Sequence, residues 1–199
     1  MFVGTDKAGL IRVDRDGATH LDASAPDTAE LLALVAYKKS LVVIVRVEDK
    51  DHAFILDAKG NVLKTLALGI RHNAHPVLMD DRLYLVDEQE GKVITVNLKK
   101  MEIAASTDLP GAHIGSLTGV ISQKQHALLM TLNEKDSLSG KVILFDPADG
   151  KYAPVCPVNH SHVDAICANG HIVIATGCSY QNMIRVFSMP VAAPAAKAA

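Results

Sequence analysis

Nine histidines are the most unusual feature of this 199-residue chain, and five of them occupy comparable positions. Each of the five comes just before or at the start of a run of residues with strand character. Imidazole nitrogens bind zinc, copper, iron or manganese, and three ligands plus one open position can activate water. If the loops that carry them gather at one end of the fold, these side chains predict a divalent transition-metal site; otherwise they are polar surface residues. The five candidate metal ligands are His72, His75, His113, His160 and His162.

The most distinctive short pattern is the segment from His160 to Asp164, with sequence His-Ser-His-Val-Asp. In an extended strand, alternate residues share a face and lie about 6.6 to 6.8 Å apart, so both histidines and the aspartate would point the same way. The pattern resembles the His-x-His-x-Asp-His motif of the metallo-β-lactamase fold. However, Ala165 replaces the closing histidine, and fewer than forty residues remain for the other ligands. A zinc site that adds Cys156 and Cys167 is disfavoured, because the spacing matches no zinc finger.

No motif for nucleophilic catalysis or for phosphate binding is present, because the Gly-x-Ser-x-Gly elbow, the Walker loop and the Rossmann glycine run are all absent. The adjacent acids Asp80 and Asp81 fall in a hairpin turn, where we expect them to be solvated. Asp14, Asp57 and Asp146 fall in other hairpin turns, and we expect each to cap its turn with a side-chain hydrogen bond.

The elements that must position these residues repeat along the chain. The clearest unit, from Pro76 to Ser106, contains four short antiparallel strands. The same order recurs in residues 30–68 and 116–155, and up to its third strand in residues 162–188, at a period of roughly 40 to 45 residues that is typical of propeller blades. Residues 2–22 supply a second, third and fourth strand without a first. The sequence therefore predicts an all-β protein, a β-propeller of about five four-stranded blades and about 18 strands, with incomplete terminal blades.

The segment from Asp27 to Lys39 is ambiguous. Its acidic start, its apolar spacing and its basic end are typical of a capped helix. Its position in the repeat predicts the first strand of a blade, and tertiary context commonly overrides local propensity. The strand is favoured, and the helix stays open.

Two families of repeat resemble parts of this chain. His75-Pro76, Leu83 to Asp87 and Lys92 to Val96 are similar to blades of NHL- and YVTN-type propellers. Val3 to Leu10, running into Asp14 to His20, resembles a degenerate sialidase-type Asp-box, in which a final tryptophan is replaced and one glycine is missing. These resemblances imply a fold and not an activity, because propellers include enzymes, lectins and scaffolds.

Composition excludes several classes of partner. The formal net charge is −2 and there is no tryptophan, so a nucleic acid is not an expected partner. The longest apolar stretch, Leu41 to Val45, is far shorter than a membrane span, so no membrane association is expected. Asp6 and Lys7 interrupt the start, which argues against a signal peptide, and three cysteines cannot all pair, so we expect free thiols and a cytoplasmic location.

The leading function hypothesis is a non-enzymatic β-propeller that serves as a protein-interaction platform or as a subunit of a larger assembly. It occupies residues 1–189 as a single domain, followed by a disordered Ala/Pro-rich tail at 190–199. Its open blade edges predict a protein partner or self-association. The alternative is a metal-dependent enzyme, such as a lyase, hydrolase or oxidase, with a histidine-lined site at the channel mouth. Small-ligand or sugar binding is a third hypothesis, weakened by the few aromatic residues. Apart from such a metal, no cofactor is expected.

Overall fold

The structure is a computed structural model that describes twelve ranges of the chain. These are residues 2–4, 10–14, 17–21, 30–70, 76–87, 90–109, 113–122, 125–133, 140–158, 162–168, 171–178 and 183–190. They contain eighteen β-strands and no helix. None of the described segments is therefore a helix with the length and apolar character to cross a membrane.

The strands form five small sheets in which neighbours along the chain are neighbours in the sheet. The first sheet contains β1 (Phe2–Gly4), β2 (Leu10–Asp14) and β3 (Gly17–Leu21). The second contains β4 (Glu30–Tyr37), β5 (Ser40–Val47), β6 (Lys50–Leu56) and β7 (Val62–Ala67). The third contains β8 (Val77–Met79), β9 (Arg82–Asp87), β10 (Lys92–Asn97) and β11 (Glu102–Asp108). The fourth contains β12 (His113–Ser122), β13 (Gln125–Asn133), β14 (Gly140–Phe145) and β15 (Tyr152–Val158). The fifth contains β16 (His162–Ala168), β17 (His171–Cys178) and β18 (Met183–Pro190).

This arrangement confirms the prediction of about five successive sheets, with three described strands in the first and in the last. It also decides the ambiguous segment, because Glu30–Tyr37 is a strand that pairs with β5 from Glu30 opposite Arg46 to Tyr37 opposite Ser40, with one register shift between Leu31 and Ala33. The physical reason is the neighbouring strand, whose residues Leu41 to Val45 are all buried. That strand needs a partner on this edge, and the need outweighs the local helix signal.

The turns between third and fourth strands use side-chain oxygens to bind the backbone. In the β6–β7 turn, the Asp57 carboxylate accepts hydrogen bonds from the backbone N–H groups of Lys59 and Asn61, at 2.8 and 2.9 Å. The Asn61 side chain also donates to this carboxylate and is the main reason that the pKa of Asp57 is lowered. In the β14–β15 turn, Asp146 accepts from the N–H of Ala148 at 2.8 Å. The predicted capping role is confirmed for both aspartates.

The β10–β11 turn uses Asn97 at the same place, where its side-chain oxygen accepts from the N–H groups of Lys99 and Lys100. The remaining predicted cap, at Asp14, belongs to a turn whose residues 15 and 16 lie outside the described ranges. A repeated chemical solution at equivalent turns is what a repeat of four-stranded units requires.

The chain divides into two compact units, residues 1–89 with 95–104, and residues 90–94 with 105–199. In the first unit, Leu41, Val43 and Val45 of β5 form a buried cluster with Leu56 of β6. In the second unit, one core joins two sheets, because buried side chains of the fourth and fifth sheets pack together. Its buried members are Val120, Leu129, Val142, Ala165, Ile172 and Ile174.

Candidate functional site

The five histidines of the predicted metal site are only partly covered by the described residues. His113 begins β12, opposite Asn133, and His162 begins β16, opposite Gly177. Both therefore start the first strand of a sheet, in two sheets that share a core. The remaining three, His72, His75 and His160, lie outside the described ranges.

The described residues contain no group of three His, Cys, Asp or Glu side chains arranged to hold a metal ion. The side chains of His113 and His162 lie outside what the structure describes, so the metal site stays a prediction.

Two of the three cysteines lie at the contact between the fourth and fifth sheets. Cys156 is on the outer strand β15 and Cys167 is on the first strand β16. Both are half-buried free thiols that pack against the shared core. Burial raises the pKa of the Cys156 thiol, so the group is protonated at neutral pH and is a poor nucleophile.

A shallow depression of about 280 Å³ lies on the fourth sheet beside the β14–β15 turn. Asp146 and Tyr152 line it, and the amine of Lys141 lies 5.8 Å from the centre of the Tyr152 ring. Ligand pockets usually occupy about 300 to 1,000 Å³, so this volume is below their range. The Asp146 carboxylate is already bonded to its own turn, and the depression therefore gives little support to the small-ligand hypothesis.

The third strand of the fifth sheet, β18, differs from the third strands of the complete sheets. In β6, β10 and β14 most residues are buried, and Phe145 of β14 is fully so. In β18 the corresponding apolar side chains face solvent: Ile184 is 78% exposed, Val186 65% and Phe187 48%. Among the described strands, none pairs with β18 on the side away from β17. We call the strand Met183–Pro190, with this unpaired side, the β18 edge.

The sequence of the β18 edge is similar to that of a strand buried inside a sheet. Its run Ile-Arg-Val-Phe, residues 184–187, resembles the run Val-Ile-Leu-Phe, residues 142–145, of the buried strand β14. Branched and aromatic side chains favour strands whose faces are packed. A complete sheet has a fourth strand beside the third, and in the fifth sheet no described strand takes that place.

A second polar arrangement lies in the first unit and was missed by sequence reasoning. The Tyr37 hydroxyl donates to the Asp81 carboxylate at 2.7 Å, and the amines of Lys38 and Lys99 contact the same carboxylate. Hydrogen bonds from Lys38, then Lys99, then Tyr37 hold the pKa of Asp81 well below its ordinary value of 3.8. The hydrogen bond to Asp81 in turn is the largest cause of the raised pKa of Lys38.

The expectation that Asp81 is simply solvated was therefore wrong. Its partners come from the β4–β5 turn and the β10–β11 turn, so the contact depends on how two sheets meet. Asp80, the preceding residue, is exposed, as expected, with a left-handed φ of 53°. No local signal distinguishes the two aspartates, because both occupy the same hairpin turn.

Neither protein-family models nor curated proteins match this sequence. Solved structures do, at low identity. One is a protein of unknown function from Bacteroides caccae, with 13% identity, a TM-score of 0.57, 90% of this chain covered and 67% of the other. A chain of a mitotic checkpoint complex has 11% identity and a TM-score of 0.61, with 94% of this chain and 61% of the other covered. The hydrazine synthase of Kuenenia stuttgartiensis has 16% identity and a TM-score of 0.58, with 88% of this chain and 54% of the other covered.

These likenesses concern the fold alone, and they confirm the predicted fold class, which is all-β and propeller-like. The chain spans between about half and two thirds of the structures that it resembles. No family model supports the NHL, YVTN or Asp-box resemblance.

Proposed function

We propose that the protein is a non-enzymatic subunit of a protein assembly and that it binds its partner by strand addition at the β18 edge. The observation that carries this proposal is the exposure of Ile184, Val186 and Phe187 in a strand whose counterparts in complete sheets are buried. An unpaired strand edge offers a row of backbone N–H and C=O groups to an extended segment, and flanking side chains select its sequence.

The side chains of the β18 edge define the partner segment. Ile184 and Val186 alternate on one face, and Arg185 and Phe187 on the other. A segment with β-branched residues on both faces and an acidic residue beside Arg185 matches this pattern, because cross-strand apolar and opposite-charge pairs stabilise a sheet. One solved structure that resembles the chain belongs to a multiprotein complex, which fits a role as a subunit.

A synthetic strand peptide of alternating valine and threonine with one central glutamate tests this proposal. We expect hydrogen–deuterium exchange to slow at the amides of β18 when the peptide is added. Val186→Lys, which places a charge on the edge, should abolish the protection, whereas Ile103→Lys on the exposed outer strand β11 should leave it intact. Unchanged exchange at β18, or equal effects of both substitutions, would refute the proposal.

A metal-dependent enzyme is the second candidate, and one backbone observation favours it. His113 and His162 begin the first strands of two sheets that share a core, so the repeat puts them at equivalent places. Elemental analysis should then find stoichiometric zinc, copper, iron or manganese that is lost in His113→Ala and His162→Ala. His171→Ala, at the start of a second strand, is the matched control. A fully folded protein without metal counts against this candidate.

A further inference from the structure

The first unit has an uneven distribution of charge that is separate from the β18 edge. In the second and third sheets, antiparallel pairing puts the turns β4–β5, β6–β7, β8–β9 and β10–β11 at one end, which we call the turn end. The β5–β6 turn lies at the opposite end. Among the described residues of this unit, seven basic and four acidic side chains lie at the turn end, a net charge of +3. The basic ones are Lys38, Lys39, Lys59, Lys64, Arg82, Lys99 and Lys100, and the acidic ones are Asp57, Asp80, Asp81 and Glu102.

The opposite end carries the reverse charge. Five acidic and two basic side chains lie there among the described residues of the unit, a net charge of −3. They are Glu30, Glu48, Asp49, Asp51 and Asp87, with Arg46 and Lys50. Part of this set is buried: Asp51 is fully buried and is bound by Arg46 at 2.9 Å. The chain as a whole has a formal charge of only −2, so the positive charge of the turn end is a local property.

The basic side chains of the turn end are all exposed, and three of them form ion pairs with acids of the same end. The Asp81 carboxylate is surrounded by Tyr37, Lys38 and Lys99. The Asp57 carboxylate is bonded to the backbone of its own turn. Each ion pair offsets one positive charge for each carboxylate, so the net charge of the turn end stays at +3.

Contacts between the turns make this end one continuous surface. The Asp81 cluster joins the β4–β5, β8–β9 and β10–β11 turns, and the backbone N–H of Leu98 donates to the carbonyl of Asp81 at 2.9 Å. The amine of Lys64 on β7 donates to the carbonyl of Lys99. The cations are thus held on a shared rigid base, which lowers the entropy cost of binding an anion.

We propose that the turn end of the first unit is a docking surface for an acidic, Asp- and Glu-rich segment of a partner protein. Charge complementarity supports this partner. A nucleic acid fits less well, because single strands need exposed aromatic faces for stacking. At the turn end, Tyr37 is itself buried, with its hydroxyl bonded to Asp81 and the amine of Lys38 4.8 Å from its ring centre.

Fluorescence anisotropy with a labelled peptide of alternating glutamate and serine tests this surface. We expect binding that weakens as salt is added and that the glutamine version of the peptide does not show. Lys39→Glu combined with Lys100→Glu should lower the affinity by about tenfold, since each reversal replaces an exposed ion pair with a repulsion. Both side chains are exposed and lie away from the buried core, so the fold should be retained.

Two comparisons make the result specific. Lys50→Glu changes the net charge by the same amount as Lys39→Glu or Lys100→Glu alone, but it lies at the opposite end. It should therefore leave the affinity for the glutamate peptide within about twofold. Val186→Lys at the β18 edge should have no effect, so this inference can fail without affecting the proposed function. Equal loss in Lys50→Glu, no binding of the glutamate peptide, or tighter binding of an oligothymidine of equal charge would overturn the inference.

Discussion

Two isoleucines of neighbouring strands test whether β18 lacks a covering strand. Ile174 on β17 is fully buried in the core between the fourth and fifth sheets, and Ile184 on β18 is 78% exposed. Replacing isoleucine by alanine removes three carbon atoms, or about 2.4 kcal/mol at about 0.8 kcal/mol for each buried group. A residual cavity raises the cost at Ile174 to about 3 to 4 kcal/mol. Because only about a fifth of the Ile184 side chain is buried, the same substitution there should cost about 0.5 kcal/mol.

Urea denaturation followed by far-ultraviolet circular dichroism measures both values, since the chain has no tryptophan to report by fluorescence. Both substitutions lie in the same sheet, so they affect the same unfolding transition. The difference in strand propensity between isoleucine and alanine applies to both sites and can amount to about 1 kcal/mol. That contribution cancels in the comparison, so we expect the cost of Ile174→Ala to exceed that of Ile184→Ala by about 2.5 to 3.5 kcal/mol. Nearly equal costs, or a cost at Ile184 that grows with protein concentration, would show that another strand covers β18.

Three further predictions concern the turns and one buried charge. The free energy of unfolding should fall as the pH drops below 3.8, because the pKa of Asp81 is depressed in the folded state. Asp81→Asn should flatten this pH dependence in denaturation curves, and an unchanged slope in the variant would contradict the role of Asp81. In urea titrations, Gly150→Ala should lower the free energy of unfolding by about 1 kcal/mol or more beyond the loss in Gly91→Ala. Both glycines have positive φ, but only at residue 150 would the new Cβ meet a methyl group, at 2.9 Å. Equal costs would contradict the steric argument. Arg46→Ala should lower the free energy of unfolding by about 3 kcal/mol, because it removes the cation bound to the buried carboxylate of Asp51. A loss smaller than that of an exposed ion pair would show that other groups stabilise the Asp51 carboxylate.

Local patterns predicted much of the fold. The recurrence of short apolar runs predicted the succession of sheets and the incomplete first and last members, because each strand needs alternating or fully apolar residues whatever lies beside it. Turn residues were predictable for the same reason: Asp57 and Asp146 bind backbone groups only two to four residues away. The segment 30–37 was harder, because its own residues favour a helix and only pairing with β5 makes it a strand.

The candidate sites could not be predicted in the same way. The metal hypothesis rests on histidines that lie at equivalent points of a repeat, which fixes their direction along the chain but not the distances between their side chains. The roles of Asp81 and of β18 depend on what lies across a sheet boundary. A four-residue run such as residues 184–187 has the same strand signal whether a fourth strand covers it or not.

The sequence alone determined the strand order, the turn caps and the absence of familiar catalytic motifs, because these depend on neighbours within a few residues along the chain. Tertiary structure alone decided which carboxylate is surrounded by cations, which end of the second and third sheets is positive, and which strand is left exposed. Charge and burial depend on distances between residues that are tens of positions apart, such as Tyr37 and Asp81, and composition does not encode those distances.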